Sequence, residues 1–191
     1  VIASGSEQKK LGVAGEQEYG GKGVSYCAVC DGAFFKGKHL VVVGGGDSAV
    51  EEGMYLTQFA DKVSVLVRKD HLRAAAVAQD KAKKNDKMEF IFNTSVTAIE
   101  GDDQKVTKVK THNNATGEDG EMQADGVFIY VGNVPMTNPF ADLGILDDQG
   151  WVITDDHMAT KVSGIFAVGD VRETLLRQIA TAVGDGALAG Q

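Results

Sequence analysis

The chain has 191 residues, 43% of them hydrophobic and 24% charged, enough for one domain with a substantial core or one domain plus part of another, and too apolar for disorder. Nineteen Lys and Arg against 27 Asp and Glu leave a net charge of −8, a surface that repels phosphate backbones and argues against nucleic acid as a partner. The apolar runs, such as 40–43 and 127–131, are far too short to span a bilayer and no secretory leader opens the chain, so a cytoplasmic setting without membrane contact is expected.

Residues 1–5 (VIASG) read as a strand end running into a small-residue turn, and 6–23 as a polar, Gly-rich loop. A β-branched strand at 39–43 runs directly into three glycines, after which Asp47 offers an N-cap for a helix through about Phe59. A second strand at 62–67, a basic turn at 68–73, a helix at 74–84 and a strand at 89–92 follow. Segments 96–100, 106–111 and 121–124 read as antiparallel strands joined by polar turns. Residues 125–132 read as a strand ending in glycine, 133–150 as irregular, 151–154 and 164–168 as strands, and 174–190 as a helix. The strands DGVFIYVG (125–132) and SGIFAVG (163–169) echo each other, with VIASG as a weaker third copy, as two related Rossmann-type units would. The opening on Val1 and the stop at Gln191 within a helix-like stretch read as an internal piece of a longer protein.

Gly44-Gly45-Gly46-Asp47-Ser48-Ala49 fits G-x-G-x-x-G/A in the context that motif requires, after a strand and opening a helix. Gly44 permits the tight turn, Gly46 lets a pyrophosphate approach the backbone, and Ala49 lets the helix pack close to the sheet. The alternative is a glycine turn without a ligand. At the end of the second strand, where an NAD site places a carboxylate for the ribose 2′-OH, stand Arg68 and Lys69, with Arg73 one turn later. Cations there bind a 2′-phosphate and are unfavourable at a helix start unless an anion joins them. NADPH rather than NADH is therefore expected; the alternative is a solvated basic helix start.

Cys27-Ala28-Val29-Cys30 is a C-x-x-C pair, a spacing that suits a redox disulfide. Half of a zinc site and two inert thiols are the alternatives; zinc needs two more ligands, and the four histidines have no paired spacing, so no metal is expected. Asp31 stands where a carboxylate can move a proton to and from the leaving thiolate, or serves only as a turn residue before Gly32. A hydride carries two electrons and a disulfide accepts two, but nicotinamide seldom reduces a disulfide directly, so a flavin between them is expected. Gly169-Asp170, at the end of the echo strand, and Arg177-Gln178, before the last helix, are candidate flavin contacts.

Together VIASG (1–5), CAVCDG (27–32), GGGDSAVEEG (44–53), VRKDHLRA (67–74), IYVGNVP (129–135), GIFAVGDV (164–171) and RQIATAVGDGALAG (177–190) resemble the low-molecular-weight, bacterial-type thioredoxin reductases in order and spacing. The resemblance implies an α/β fold: a Rossmann-like NADPH-binding domain, with a parallel sheet and a small antiparallel sheet, inserted into an FAD-binding Rossmann-like domain. Residues 7–132 would be the NADPH domain with the redox pair; 1–6 and 133–191 would belong to the FAD domain, whose N-terminal segment with its own glycine motif is not in these residues. It implies reduction of thioredoxin by NADPH through FAD in a homodimer, with Cys30 toward the flavin, Cys27 toward thioredoxin, and Asp31 as acid–base residue. NADPH contacts would be Gly44–Ala49, Arg68, Lys69, Arg73 and Gly132. FAD contacts would be Ser4, Gly5, Gly169, Asp170, Val171, Arg177 and Gln178. Domain rotation about hinges near residues 7 and 132–133 would present the disulfide and the nucleotide to the flavin in turn. Val67 and Lys69 depart from the His and Arg common in relatives. The flavoprotein reductases of alkyl hydroperoxide systems share C-x-x-C-D-G, usually with Pro after the first Cys, where this chain has Ala28. A non-catalytic NADPH-binding module is the reading from another class.

Overall fold

The computed structural model describes residues 1–191 and divides them into two compact units, Lys9–Val131 and Val1–Gln8 with Gly132–Gln191. In chain order the elements are β1 (Ser6–Gln8), β2 (Val24–Ser25), α1 (Ala28–Asp31), β3 (His39–Val43), α2 (Asp47–Leu56), β4 (Lys62–Leu66), α3 (Ala76–Ala82) and β5 (Met88–Ile91). Then come β6 (Thr94–Gly101), β7 (Val106–Asn113), β8 (Asp119–Gln123), β9 (Gly126–Ile129), β10 (Asn133–Pro135) and α4 (Ile179–Ala189).

The larger unit is built on a five-stranded parallel sheet in the order β2-β9-β3-β4-β5. Its strands are near-continuous apolar runs because both faces are covered. The period of two sorts each run. Leu40, Val42 and Phe128 face one cluster with Ala49, Val50, Leu56 and Ala78 from the helices. Val41, Val43, Val127 and Ile129 face the other, with Val96, Ile99, Val106 and Val109 from the antiparallel sheet β6-β7-β8. The result is a layer of helices, a parallel sheet and a smaller antiparallel sheet.

Both boundaries of α2 differ from the sequence reading. Gly46, in an extended conformation, takes the N-cap of α2, and Asp47 is its first helical residue. No side chain caps that helix; the Asp47 carboxylate instead accepts the Ala75 N–H at 2.8 Å, at the start of α3. After Leu56 the chain tightens, with Thr57, Gln58 and Phe59 each donating to the residue three back, so the regular helix stops short of Phe59.

In the smaller unit β1 pairs antiparallel with β10, two strands of three residues each that the sequence reading took as loop and irregular chain. Ile2, Ile145, Val152, Ala167 and Val171 form its core. Residues 151–154 and 164–168, expected as strands, pair only through single bridges, Val152 with Leu146 and Arg172, Phe166 with Ala159, and Ala167 with Ile2. The reason lies in the turn at Asp155, whose carboxylate accepts the His157 and Ala159 N–H groups and bends the chain away after Thr154. The last helix begins at Ile179 rather than Thr174: the Gln178 N–H donates to Thr181 Oγ1 at 3.2 Å and closes the first turn there. All three echo segments end in a glycine of positive φ, Gly5 (72°), Gly132 (109°) and Gly169 (72°), the backbone feature their shared pattern encodes.

Candidate functional site

The strand order reverses between β9 and β3, and the glycine turn leaves β3 at that point, at the carboxyl ends of the strands. Gly44 has φ 150°, and a Cβ there would run into the Tyr130 carbonyl and lie 2.9 Å from the Ala49 side chain. A Cβ on Gly45 would lie 2.9 Å from Val67, whereas one on Gly46 would meet nothing within 4 Å. The first two glycines are thus demanded by packing, and the third faces open space before an uncapped helix start, where backbone N–H groups await an acceptor.

The basic turn is tethered beside it. The Arg73 N–H donates to the Gly45 carbonyl at 2.6 Å, the Asn93 N–H to Lys69 O at 2.9 Å, and Asn114 Nδ2 to Arg68 O at 2.9 Å. A cavity of about 310 Å³ joins Gly44 and Gly45 to Arg68, Lys69 and Arg73 over a floor of Val43, Leu66 and Val67. No carboxylate lines it. Gly46, Asp47 and Ser48 flank the cavity without lining it, and Ala49 is fully buried beneath the turn, as its packing role requires. Gly132 lies in the other unit. His71 also lines the cavity; its Nδ1 pairs with Asp70 at 2.6 Å, a hydrogen bond that holds the Asp70 carboxyl below its usual value.

The same sheet carries the cysteines. Beyond β2, Cys27 and Cys30 are joined by a disulfide across α1, with Cα atoms 5.3 Å apart. Cys27 is half-buried and its Sγ accepts the Cys30 N–H at 3.2 Å; Cys30 is exposed. Asp31 is held against the pair by Ser25, which is 6% exposed: its hydroxyl donates to Asp31 Oδ2 at 2.6 Å and accepts the Cys27 N–H at 3.1 Å. Tyr130 lines the same cavity and donates to Glu52 at 3.4 Å; burial, then the Glu52 charge, push its phenol well above the ordinary value. Sequence reasoning missed Ser25, in a strand of two residues, and Tyr130, which reads only as part of an apolar strand.

The remaining candidates lie in the smaller unit. Ser4 Oγ donates to Met136 O at 2.6 Å, Gly5 O accepts the Met136 N–H at 3.0 Å, and Val171 is buried, its carbonyl accepting the Val152 N–H at 3.1 Å. Gly169 starts a tight turn through Asp170, with its N–H donating to Asp185 at 3.0 Å; a Cβ there would lie 3.3 Å from Ala182 of α4. Arg172, which sequence reasoning passed over, pairs with Asp185 at 2.9 Å. The Arg177 guanidinium lies 3.8 Å over the Trp151 ring, and its buried Nε has no hydrogen-bond partner. An orphaned buried guanidinium donor on the half-buried Arg177 fits an acceptor group of a bound cofactor.

These features coincide with what the chain is similar to. The model of the family "Pyridine nucleotide-disulphide oxidoreductase" matches residues 1–186, and the chain belongs to that family. It is 59% identical over 191 residues to the thioredoxin reductase of Listeria monocytogenes and 57% identical to that of Bacillus subtilis, all of this chain aligning with 60% of each relative. The crystal structure of Lactococcus lactis thioredoxin reductase superposes with a TM-score of 0.86 at 54% identity, covering 100% of this chain and 63% of that one. The thioredoxin reductase of T. acidophilum gives a TM-score of 0.84 at 41% identity, covering 98% and 62%. The chain thus spans about 60% of the length of the curated relatives it matches.

Proposed function

We propose that the chain belongs to a thioredoxin-disulfide reductase that carries electrons from NADPH to the Cys27–Cys30 disulfide and on to thioredoxin. The observation that carries this reading is that a carboxylate-free cationic cavity at a dinucleotide turn and a disulfide with a tethered carboxylate share the carboxyl end of one parallel sheet. Arg68, Lys69 and Arg73 bind the 2′-phosphate, and the N–H groups opening α2 take the pyrophosphate. FAD, when bound, supplies the relay between a hydride donor and a disulfide acceptor, with Asp170, Arg177 and Gln178 among its contacts. Two electrons and two protons convert the disulfide to the dithiol, and Asp31, fixed by Ser25, moves the proton at the cysteine sulfur. The Cys27 thiolate attacks the thioredoxin disulfide; Cys30 then displaces the mixed disulfide, restoring the Cys27–Cys30 bond and releasing reduced thioredoxin. Assembly as a homodimer and a cytoplasmic setting belong to the same reading; no helix of the chain is long and apolar enough to cross a membrane.

The test uses a polypeptide of the relatives' full length. NADPH should bleach its flavin absorbance, and Cys27→Ser or Cys30→Ser should abolish thioredoxin reduction while bleaching persists. Loss of bleaching together with thioredoxin reduction in these variants contradicts the roles assigned.

A further inference from the structure

Residues 9–16 lead toward β2 as a polar, Gly-containing segment without periodicity, yet they are firmly held. Glu16 is 5% exposed, and its carboxylate accepts the Leu11 N–H at 3.0 Å, the Gly12 N–H at 2.7 Å and the Tyr26 hydroxyl at 2.7 Å. The Lys10 ammonium sits 4.0 Å over the Tyr26 ring. Burial alone raises the Glu16 carboxyl, but the Tyr26 hydroxyl and the backbone N–H donors outweigh it and hold it below its usual value. A buried carboxylate is costly unless fully bonded, and here the bonds it makes fix the segment whose side chains Lys9 and Lys10 line the nucleotide cavity. With them the lining carries five Lys and Arg side chains and no carboxylate, in a chain of net charge −8. Neither lysine is paired with a carboxylate; Lys10 rests on the Tyr26 ring, and Lys9 has no ion-pair partner at all.

We propose that Lys9 and Lys10 form a second cationic wall of the dinucleotide cavity, contacting a phosphate of the bound nucleotide, and that Glu16 is the positioning residue that sets them there. This rests on the dinucleotide reading of the cavity. The shared chemistry is a phosphate oxyanion, from the 2′-phosphate or from the pyrophosphate.

Calorimetric titration of the chain with NADPH and with NADH tests it. Both lysines are exposed, so the Lys9→Met, Lys10→Met double variant keeps the fold and the alkyl stems while removing the charge. It should bind NADPH about tenfold or more weakly at low ionic strength. A loss confined to NADPH places the wall at the 2′-phosphate, and an equal loss with NADH places it at the pyrophosphate; either supports the proposal. Glu16→Gln should weaken NADPH in the parent chain but not in the double-lysine variant, because a positioning residue acts through the groups it positions. A Glu16→Gln loss of equal size in both backgrounds contradicts the positioning role. Binding by the double-lysine variant within about twofold of the parent, while Arg68→Gln loses affinity, overturns the lysine wall and leaves the dinucleotide reading standing. If the parent chain binds neither nucleotide, or Arg68→Gln and the lysine variant both bind unchanged, the dinucleotide reading fails and the wall falls with it.

Discussion

On the proposed reading, Arg68, Lys69 and Arg73 turn a residue type at a fixed place into a selectivity. Their backbones are tied to Gly45, Asn93 and Asn114, so the side chains project from a tethered turn into a cavity without carboxylates. Replacing Arg68 and Lys69 by Gln should raise the NADPH dissociation constant by about a hundredfold and the NADH constant by less than about threefold, from the loss of charge-assisted contacts. Titration of both nucleotides checks this, and equal losses would refute the 2′-phosphate assignment. Their meeting in one cavity with the glycine turn was legible because a strand end beside such a turn has a defined place in the fold. Asp47 was half legible: a carboxylate at a helix start was evident, but not that the extended Gly46 would take the cap and send Asp47 to Ala75. Lys9, Lys10, Glu16 and Ser25 were not legible, because their meaning comes from partners brought near only by folding.

At the scale of the element, the glycine turn separates packing from binding. Gly44→Ala forces a Cβ against the Tyr130 carbonyl and into a φ of 150°, prising β3 from β9, and should lower stability by about 2–4 kcal/mol in urea unfolding. Gly46→Ala meets open space at an ordinary φ of −95° and should leave the unfolding midpoint close to the parent's while weakening NADPH. Equal destabilisation by both would contradict the division. At the opposite end of the sheet, His39 Nε2 lies 2.8 Å from Ser64 Oγ, and that hydroxyl donates to Glu89 at 2.6 Å, across β3, β4 and β5. Burial, then the Lys62 charge, lower the His39 pKa below its ordinary 6.5. The folded state therefore prefers the neutral ring; that contribution is full above about pH 6.5 and is lost as pH falls through the lowered value. His39→Gln should flatten the fall in stability below pH 6.5, measured by urea midpoints across that range; an unchanged slope would remove His39 from the account. The long strands of the parallel sheet were legible from their β-branched runs. β1 and β10 were not, being three polar-flanked residues each, and 151–154 was over-read because the Asp155 turn competes with its pairing.

Over the whole molecule, an acidic chain lines one cavity with five of its 19 Lys and Arg side chains and no carboxylate, an arrangement that focuses the field on anionic ligands. The larger unit holds two substantial cores, while the core of the smaller one is five buried residues and leaves Ile179, Val183 and Leu188 of α4 exposed. The order of the motifs made the class of protein legible before any coordinate. The unit boundaries at Gln8 and Val131 flank a short ladder, β1 with β10, and not a composition shift. The central claim is that NADPH electrons end on one sulfur couple. Its most direct test is to add NADPH anaerobically to the flavin-loaded protein of the relatives' full length, alkylate, and map the labels by mass. The account predicts two new labels per chain, one on Cys27 and one on Cys30; a bleached flavin with neither cysteine labelled would contradict it.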